Sequence, residues 1–163
     1  MIKEIKGDII KALKDDEIDY LIHCCNDQGI MNSGVSKRIK KEFPDAFETY
    51  IESFNDHLLF KDSPLGSFTI DSYGSGVINL VGQEQCLESS RMYCNYGAVG
   101  KGFLEVINYF PATNLFKKLN FERKIRVGIP YKFASNTAGG DWNIILQMIE
   151  LMLGSFVDVY IYK

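Results

Sequence analysis

Hydrophobic positions along the chain follow two rhythms. In "IDYLIHCCN", residues 18–26, and in "KIRVGIP", apolar residues run almost without a break. Such runs suit strands buried on both faces, as in a parallel sheet covered by helices. "FVDVYIY" reads as a further strand, and "MIKEIKG", with Ile2 and Ile5 apolar, as the first. Elsewhere the spacing is helical. In "GVSKRIKKEF" Val35, Ile39 and Phe43 share one face, while Lys37, Arg38, Lys40 and Lys41 face water. Pro44 interrupts this segment and "DAFETYIESF" resumes it helically. "GDWNIILQMIELMLG" is the strongest helical pattern, ended by Gly154. "DIIKALKDD" predicts a short helix begun by Asp8, and "NYGAVGKGFLEVINYF" a helix despite three glycines. "SFTIDSYGSGVINLVGQ" predicts two strands joined by a glycine-rich hairpin near Gly74 and Gly76. Strands alternating with helices predict an α/β fold, a three-layer α/β/α sandwich around a mixed, mostly parallel sheet.

Composition narrows the picture. The 163 residues suit one domain spanning residues 1–163, and 46% hydrophobic residues suffice for a core. A formal net charge of -3 gives no strong nucleic-acid signal. No apolar run reaches the roughly 20 residues a membrane helix needs. "MIKEIKGDII" lacks the apolar region of a signal peptide, so a cytoplasmic location is expected. Cys24, Cys25, Cys86 and Cys94 show no metal-ligand spacing with each other or with His23 and His57. Free thiols and no metal site are the expectation. Cys24 and Cys25 read as small core fillers, and His23 as a hydrogen-bonded core residue unless it points into a cleft.

Twice the chain runs buried strand, small-residue loop, helix: "LIHCCNDQGIMNSGV" and "GIPYKFASNTAGGDW". In open α/β sheets ligands bind beyond the carboxyl ends of the strands, where helix N-termini present unpaired N–H groups and a positive dipole end. Two such ends side by side suit two linked phosphates. Neither loop is a P-loop, and no GxGxxG occurs.

"GDI", "CCNDQGIMNSGV", "INLVGQ", "NYGA" and "IPYKFASNTAGGDW" together resemble the stand-alone ADP-ribose-binding macrodomains. The short subgroup in question includes ADP-ribose 1''-phosphate phosphatases and is common in bacteria and phages. The resemblance runs from about residue 6 to residue 160. It implies a cleft for ADP-ribose or a derivative and no cofactor. It assigns the adenine amino group to Asp8 and a ring contact to the Ile9 amide, although Asp8 could equally cap its helix. Asn26 would contact the distal ribose and take part in catalysis, or merely form a turn. The loop Asn32, Ser33, Gly34, Val35 would bind phosphates and distal ribose, or Ser33 would only cap. Ala134, Ser135, Asn136, Thr137 and Ala138 would form the second loop. Asp141 would orient or deprotonate a water, or only cap. Trp142 reads as a core anchor with Ile145, Met148 and Ile149.

The sequence departs from the family pattern at three glycines, replaced by Asn32, Ala134 and Asn136. Asparagine tolerates a left-handed backbone better than most residues, and alanine there costs roughly 1 kcal/mol. Some ADP-ribosyl hydrolases of this fold use a lysine after the middle strand; Gly82 and Gln83 stand here, which disfavours a covalent imine. The aromatic cover for adenine falls to Tyr160 or Tyr162, or to another part of the chain. The expected activity is hydrolysis of ADP-ribose 1''-phosphate. The alternatives are release of ADP-ribose from protein or nucleic acid, and a non-catalytic reader.

Overall fold

A computed structural model describes residues 1–71, 74–85, 91–112 and 124–163. Cys86 and part of the expected hairpin turn, residues 72–73, lie outside these. In chain order the described elements are β1 (Ile2–Ile5), α1 (Ile9–Lys14), β2 (Tyr20–Asn26), α2 (Gly34–Glu42), α3 (Pro44–Phe60), β3 (Phe68–Ile70), β4 (Val77–Gln83), α4 (Tyr96–Ala112), β5 (Arg126–Pro130), α5 (Trp142–Met152) and β6 (Asp158–Tyr162). The strands form one six-stranded sheet in the order β1-β6-β5-β2-β4-β3. Among the described strands β3 alone runs antiparallel, against β4.

Alternation along the central strands builds the three layers. Ile22 and Leu80 pack on one side with Phe103 of α4 and with Ile145 and Ile149 of α5. Leu21 and Val81 pack on the other with Ile9 of α1, Ile39 of α2 and Tyr50 of α3. Both faces of β2 and β4 are thus covered, as the nearly unbroken apolar run of β2 predicts. The break between α2 and α3 falls at Phe43, held extended (φ -137) by the proline that follows, with Pro44 opening α3. α3 runs further than "DAFETYIESF", to Phe60, and stops at left-handed Lys61. α5 ends at its expected glycine: a Cβ on Gly154 would lie 2.8 Å from the Glu150 carbonyl oxygen.

Two buried polar side chains sit in the apolar strands. The Asn79 amide donates to the Ala46 carbonyl (2.9 Å) and to Thr69 Oγ1 (3.0 Å). Its Oδ1 is therefore an acceptor and meets His23 Nε2 at 2.6 Å. His23 must carry its proton on Nε2, and the Cys25 sulfur lies 3.5 Å from Nε2 and 3.8 Å from Nδ1. This network joins β2, β4, β3 and α3, and satisfies groups that would otherwise be costly to bury.

Candidate functional site

The carboxyl ends of the parallel strands β1, β6, β5, β2 and β4 lie along one edge of the sheet, where both glycine-bearing loops emerge. The first loop is shaped by Asn26. Its Oδ1 accepts from the Gln28 (2.9 Å) and Ile30 (3.2 Å) amides, and its Nδ2 donates to the Ile30 carbonyl (2.7 Å). The Tyr50 hydroxyl donates to the Asn26 carbonyl at 2.5 Å. Asn26 is therefore the turn former, and the same side chain borders the cleft. Ser33 occupies the N-cap position of α2 in extended geometry, yet its side chain makes no capping bond. Among the described residues, the amides of Gly34, Val35 and Ser36 have no protein acceptor.

The second loop is anchored by Phe133, buried against Phe103 with ring centroids 5.7 Å apart. Ala134 keeps the left-handed conformation (φ 53) despite its Cβ, and Lys132 shares it (φ 58). The methyl of Ala134 is buried in the α4/α5 core. Asn32 and Asn136 are not left-handed, contrary to the expectation that asparagine preserves a glycine-like backbone there. Neither position demands glycine, so an ordinary backbone suffices. Asn136 and Thr137 are exposed and line the cleft. Ser135 does not border it; its hydroxyl donates to the Phe133 carbonyl (3.1 Å). Ala138 is buried and its carbonyl accepts the Tyr93 and Cys94 amides.

Between the loops lie two adjoining lobes of about 180 and about 300 Å³. They share Cys24, Ser33, Ser36, Gln83 and Thr137. The smaller reaches Tyr131 and Lys132 beyond β5; the larger reaches Asn26, Asn32 and Gln85 beyond β2 and β4. Among the described lining residues Lys132 is the one charged side chain. Val35 and Gly34 border the smaller lobe, as the sequence pattern implies.

The predicted carboxylates stand elsewhere. Asp141 caps α5, accepting the Asn143 amide at 2.8 Å, and it borders neither lobe. Of the two roles expected for Asp141, capping is the one this hydrogen bond fits. Asp8 caps α1 through the Ile10 (2.9 Å) and Lys11 (3.3 Å) amides and accepts from Arg38 at 2.6 Å. The Arg38 hydrogen bond holds the Asp8 carboxyl below the usual range, against the opposing effect of desolvation. Ile9 is buried. Both lie outside the two lobes, at the β1/β6 end of the same edge.

His23 forms part of the floor, 2% exposed, and burial lowers its pKa from 6.5 to about 4. It is neutral near pH 7. Burial also pushes the Cys25 thiol up, so the His23–Cys25 contact holds a thiol rather than a nucleophilic thiolate. Cys24 is half-buried and lines both lobes, which goes beyond a core filler. Gln83, where a nucleophilic lysine would be sought, borders both lobes, and a Cβ on Gly82 would come within 2.9 Å of the Cys24 sulfur.

Sequence reasoning missed Tyr131 and Lys132 as cleft residues. Their signal is position alone: they directly follow a buried strand on the ligand edge. Tyr162, an expected adenine cover, is 7% exposed, whereas Tyr131 is 39% exposed. Trp142 is half-buried and packs edge-on against Tyr131, with ring centroids 5.2 Å apart.

Searches with protein-family models and against curated proteins find no match. Solved structures are similar. A Bacteroides thetaiotaomicron protein of unknown function aligns with a TM-score of 0.79 at 24% identity, over 99% of this chain and 97% of that one. The macrodomain of Thermus aquaticus DarG aligns with a TM-score of 0.70 at 19% identity, over 100% and 98%. Thermosipho africanus DarTG, solved in complex with ADP-ribose, aligns with a TM-score of 0.64 at 16% identity, over 99% of this chain and 41% of that one. The chain has the macrodomain fold.

Proposed function

Proceeding from the macrodomain fold, we propose that the cleft binds ADP-ribose or a close derivative, held through backbone amides of both loops. The observation that carries this reading is the open start of α2. Its first amides face the lobes without a cap, and a helix N-terminus favours an anion through its N–H groups and its dipole. The Asn136 and Thr137 amides across the cleft, also without a protein acceptor among the described residues, offer a second set of donors to a diphosphate. The complex of Thermosipho africanus DarTG with ADP-ribose supports the same ligand on this fold. Along the sheet edge the adenosine half lies toward β5, β6 and Asp8, and the distal ribose toward Asn26 and Gln83.

A non-catalytic reader fits this lining best. The described lining residues include no carboxylate, and the floor imidazole is neutral and already donates to Asn79. Hydrolysis of ADP-ribose 1''-phosphate is the second reading, favoured by Asn26 at the distal lobe. Removal of ADP-ribose from protein or nucleic acid draws no support from Gln83, which offers no amine. Titration calorimetry with ADP-ribose tests binding; a dissociation constant on the order of micromolar, or about -8 kcal/mol, is expected. No heat of binding at millimolar ligand would sink the reading. Phosphate release from ADP-ribose 1''-phosphate, absent for a reader, would promote the second one.

A further inference from the structure

We propose that a cavity at the edge of the sheet where the parallel strands begin is a second binding site, taking a small aliphatic ammonium ion on Asp71. It lies where β2 and β4 start and antiparallel β3 ends, across the sheet from the ADP-ribose cleft, and does not depend on that reading. The cavity measures about 450 Å³, larger than either lobe of the cleft.

Asp71 carries the inference. It is 6% exposed and lines the cavity. Its Oδ1 accepts the Gly74 (2.9 Å) and Ser75 (2.8 Å) amides, and both of those residues line the same cavity. Its Oδ2 is buried with no hydrogen-bond partner, and no other buried side-chain oxygen or nitrogen among the described residues shares that state. An asparagine would accept the two turn amides equally well through its carbonyl oxygen. What the carboxylate adds is a second acceptor and a charge, both costly to bury unless a partner answers them.

The described lining holds three carboxylates, Asp16, Asp19 and Asp71, and no lysine, arginine or histidine. Arg126 is committed to Asp19, through Nε (3.3 Å) and a terminal guanidinium nitrogen (2.9 Å). The positive charge for Asp71 therefore comes from a ligand, and three chemistries compete. A metal ion needs several ligating side chains together, and no such group occurs among the described residues. A guanidinium forks onto both oxygens of a carboxylate, but two amides already hold Oδ1. An ammonium needs one acceptor oxygen, which Oδ2 supplies. Leu13, Ile18 and Ile70, with Tyr109, line the cavity with apolar surface for an alkyl stem, and exposed Asp16 draws cations toward it.

The probe is n-butylamine, protonated at neutral pH, titrated into the intact chain and followed by amide NMR. The Gly74, Ser75 and Gly76 amides should shift, with a dissociation constant on the order of millimolar, while Gly34 and Val35 at the cleft stay still. Butan-1-ol, a neutral molecule of the same length, should bind about tenfold more weakly or worse. Asp71→Asn keeps the turn acceptor and should weaken the amine about tenfold or more, with the rest of its spectrum unchanged. Magnesium ion should not displace the amine. The proposal is overturned if the three amides stay still with the amine, if butanol moves them as readily, if magnesium displaces the amine, or if Asp71→Asn binds it as well as the parent. Should Asp71→Asn not fold, the comparison of amine, alcohol and magnesium on the unaltered chain decides by itself.

Discussion

The entrances of α2 and α5 resemble each other in sequence and differ in what they leave free. Each follows a buried strand and a loop of small residues, and each has a capping residue type, Ser33 or Asp141, at its N-cap. Asp141 takes the Asn143 amide and closes its helix. Ser33 makes no such bond, and the head of α2 stays uncapped where it borders the cleft. A carboxylate at the second entrance stabilises a helix; the absence of one at the first makes room for an anion. Asp141, the acid–base candidate, makes the capping bond at its helix. The serine that looked like a cap leaves the first amides of its helix bare.

Acid should loosen the floor of the cleft, where His23 lies beneath both loops. The folded pKa of His23 is lowered, so its contribution is fully present above 6.5 and is lost as pH falls toward about 4. In that window the unfolded chain takes up a proton that the native state refuses. Stability should fall by about 1.4 kcal/mol per pH unit more than in a His23→Gln variant. Denaturant titrations at a series of pH values check this; equal slopes in the two proteins would contradict it.

Closing the first entrance should have the next largest effect. Ser33→Asp places a carboxylate where the backbone is already extended (φ -139). It should raise stability by about 0.5–1 kcal/mol and weaken ADP-ribose binding by about thirtyfold, or 2 kcal/mol, since the new charge competes for the amides and repels the diphosphate. Gains of the same sign in both measurements would deny the contrast. At the second entrance the reverse holds. Asp141→Ala should lower stability by about 1 kcal/mol, read as a shifted melting temperature, with ADP-ribose affinity unchanged within twofold. A large loss of binding or turnover there would restore Asp141 to the site.

The smallest effect belongs to Ala134. Replacement by glycine relieves roughly 1 kcal/mol of left-handed strain but removes a buried methyl worth about 0.8 kcal/mol. Chemical denaturation should find the two proteins within about 0.5 kcal/mol. ADP-ribose affinity should not move either, because the alanine already holds the glycine-like backbone.

These contrasts mark what was legible in the chain. Unbroken apolar runs reveal β2 and β5, and the i, i+4, i+8 stripe of Val35, Ile39 and Phe43 reveals the buried face of α2, because burial on both faces or on one stripe is a local pattern. The order of loops along the sheet edge follows from strand–helix alternation. The His23–Asn79 bond was hidden: an amide inside "VINLV" is paired with a histidine 56 residues earlier, and only the sheet register brings them together. The open state of Ser33 depends on side-chain direction, which residue type does not fix. Tyr131 was unremarkable until Trp142 and Tyr162 were seen to hold it at the lobe. Asn32 and Asn136 misled because a residue suited to a left-handed backbone need not adopt one.

The central claim is that the bare amides of α2 and the second loop receive the ligand. The most direct measurement is an amide NMR spectrum of the intact chain titrated with ADP-ribose. The largest shifts are expected at Gly34, Val35, Ser36, Asn136 and Thr137, while the amides that Asp8 and Asp141 already cap, Ile10 and Asn143, stay nearly still. Shifts concentrated at the capped amides, or none at the open ones at saturation, would contradict the account.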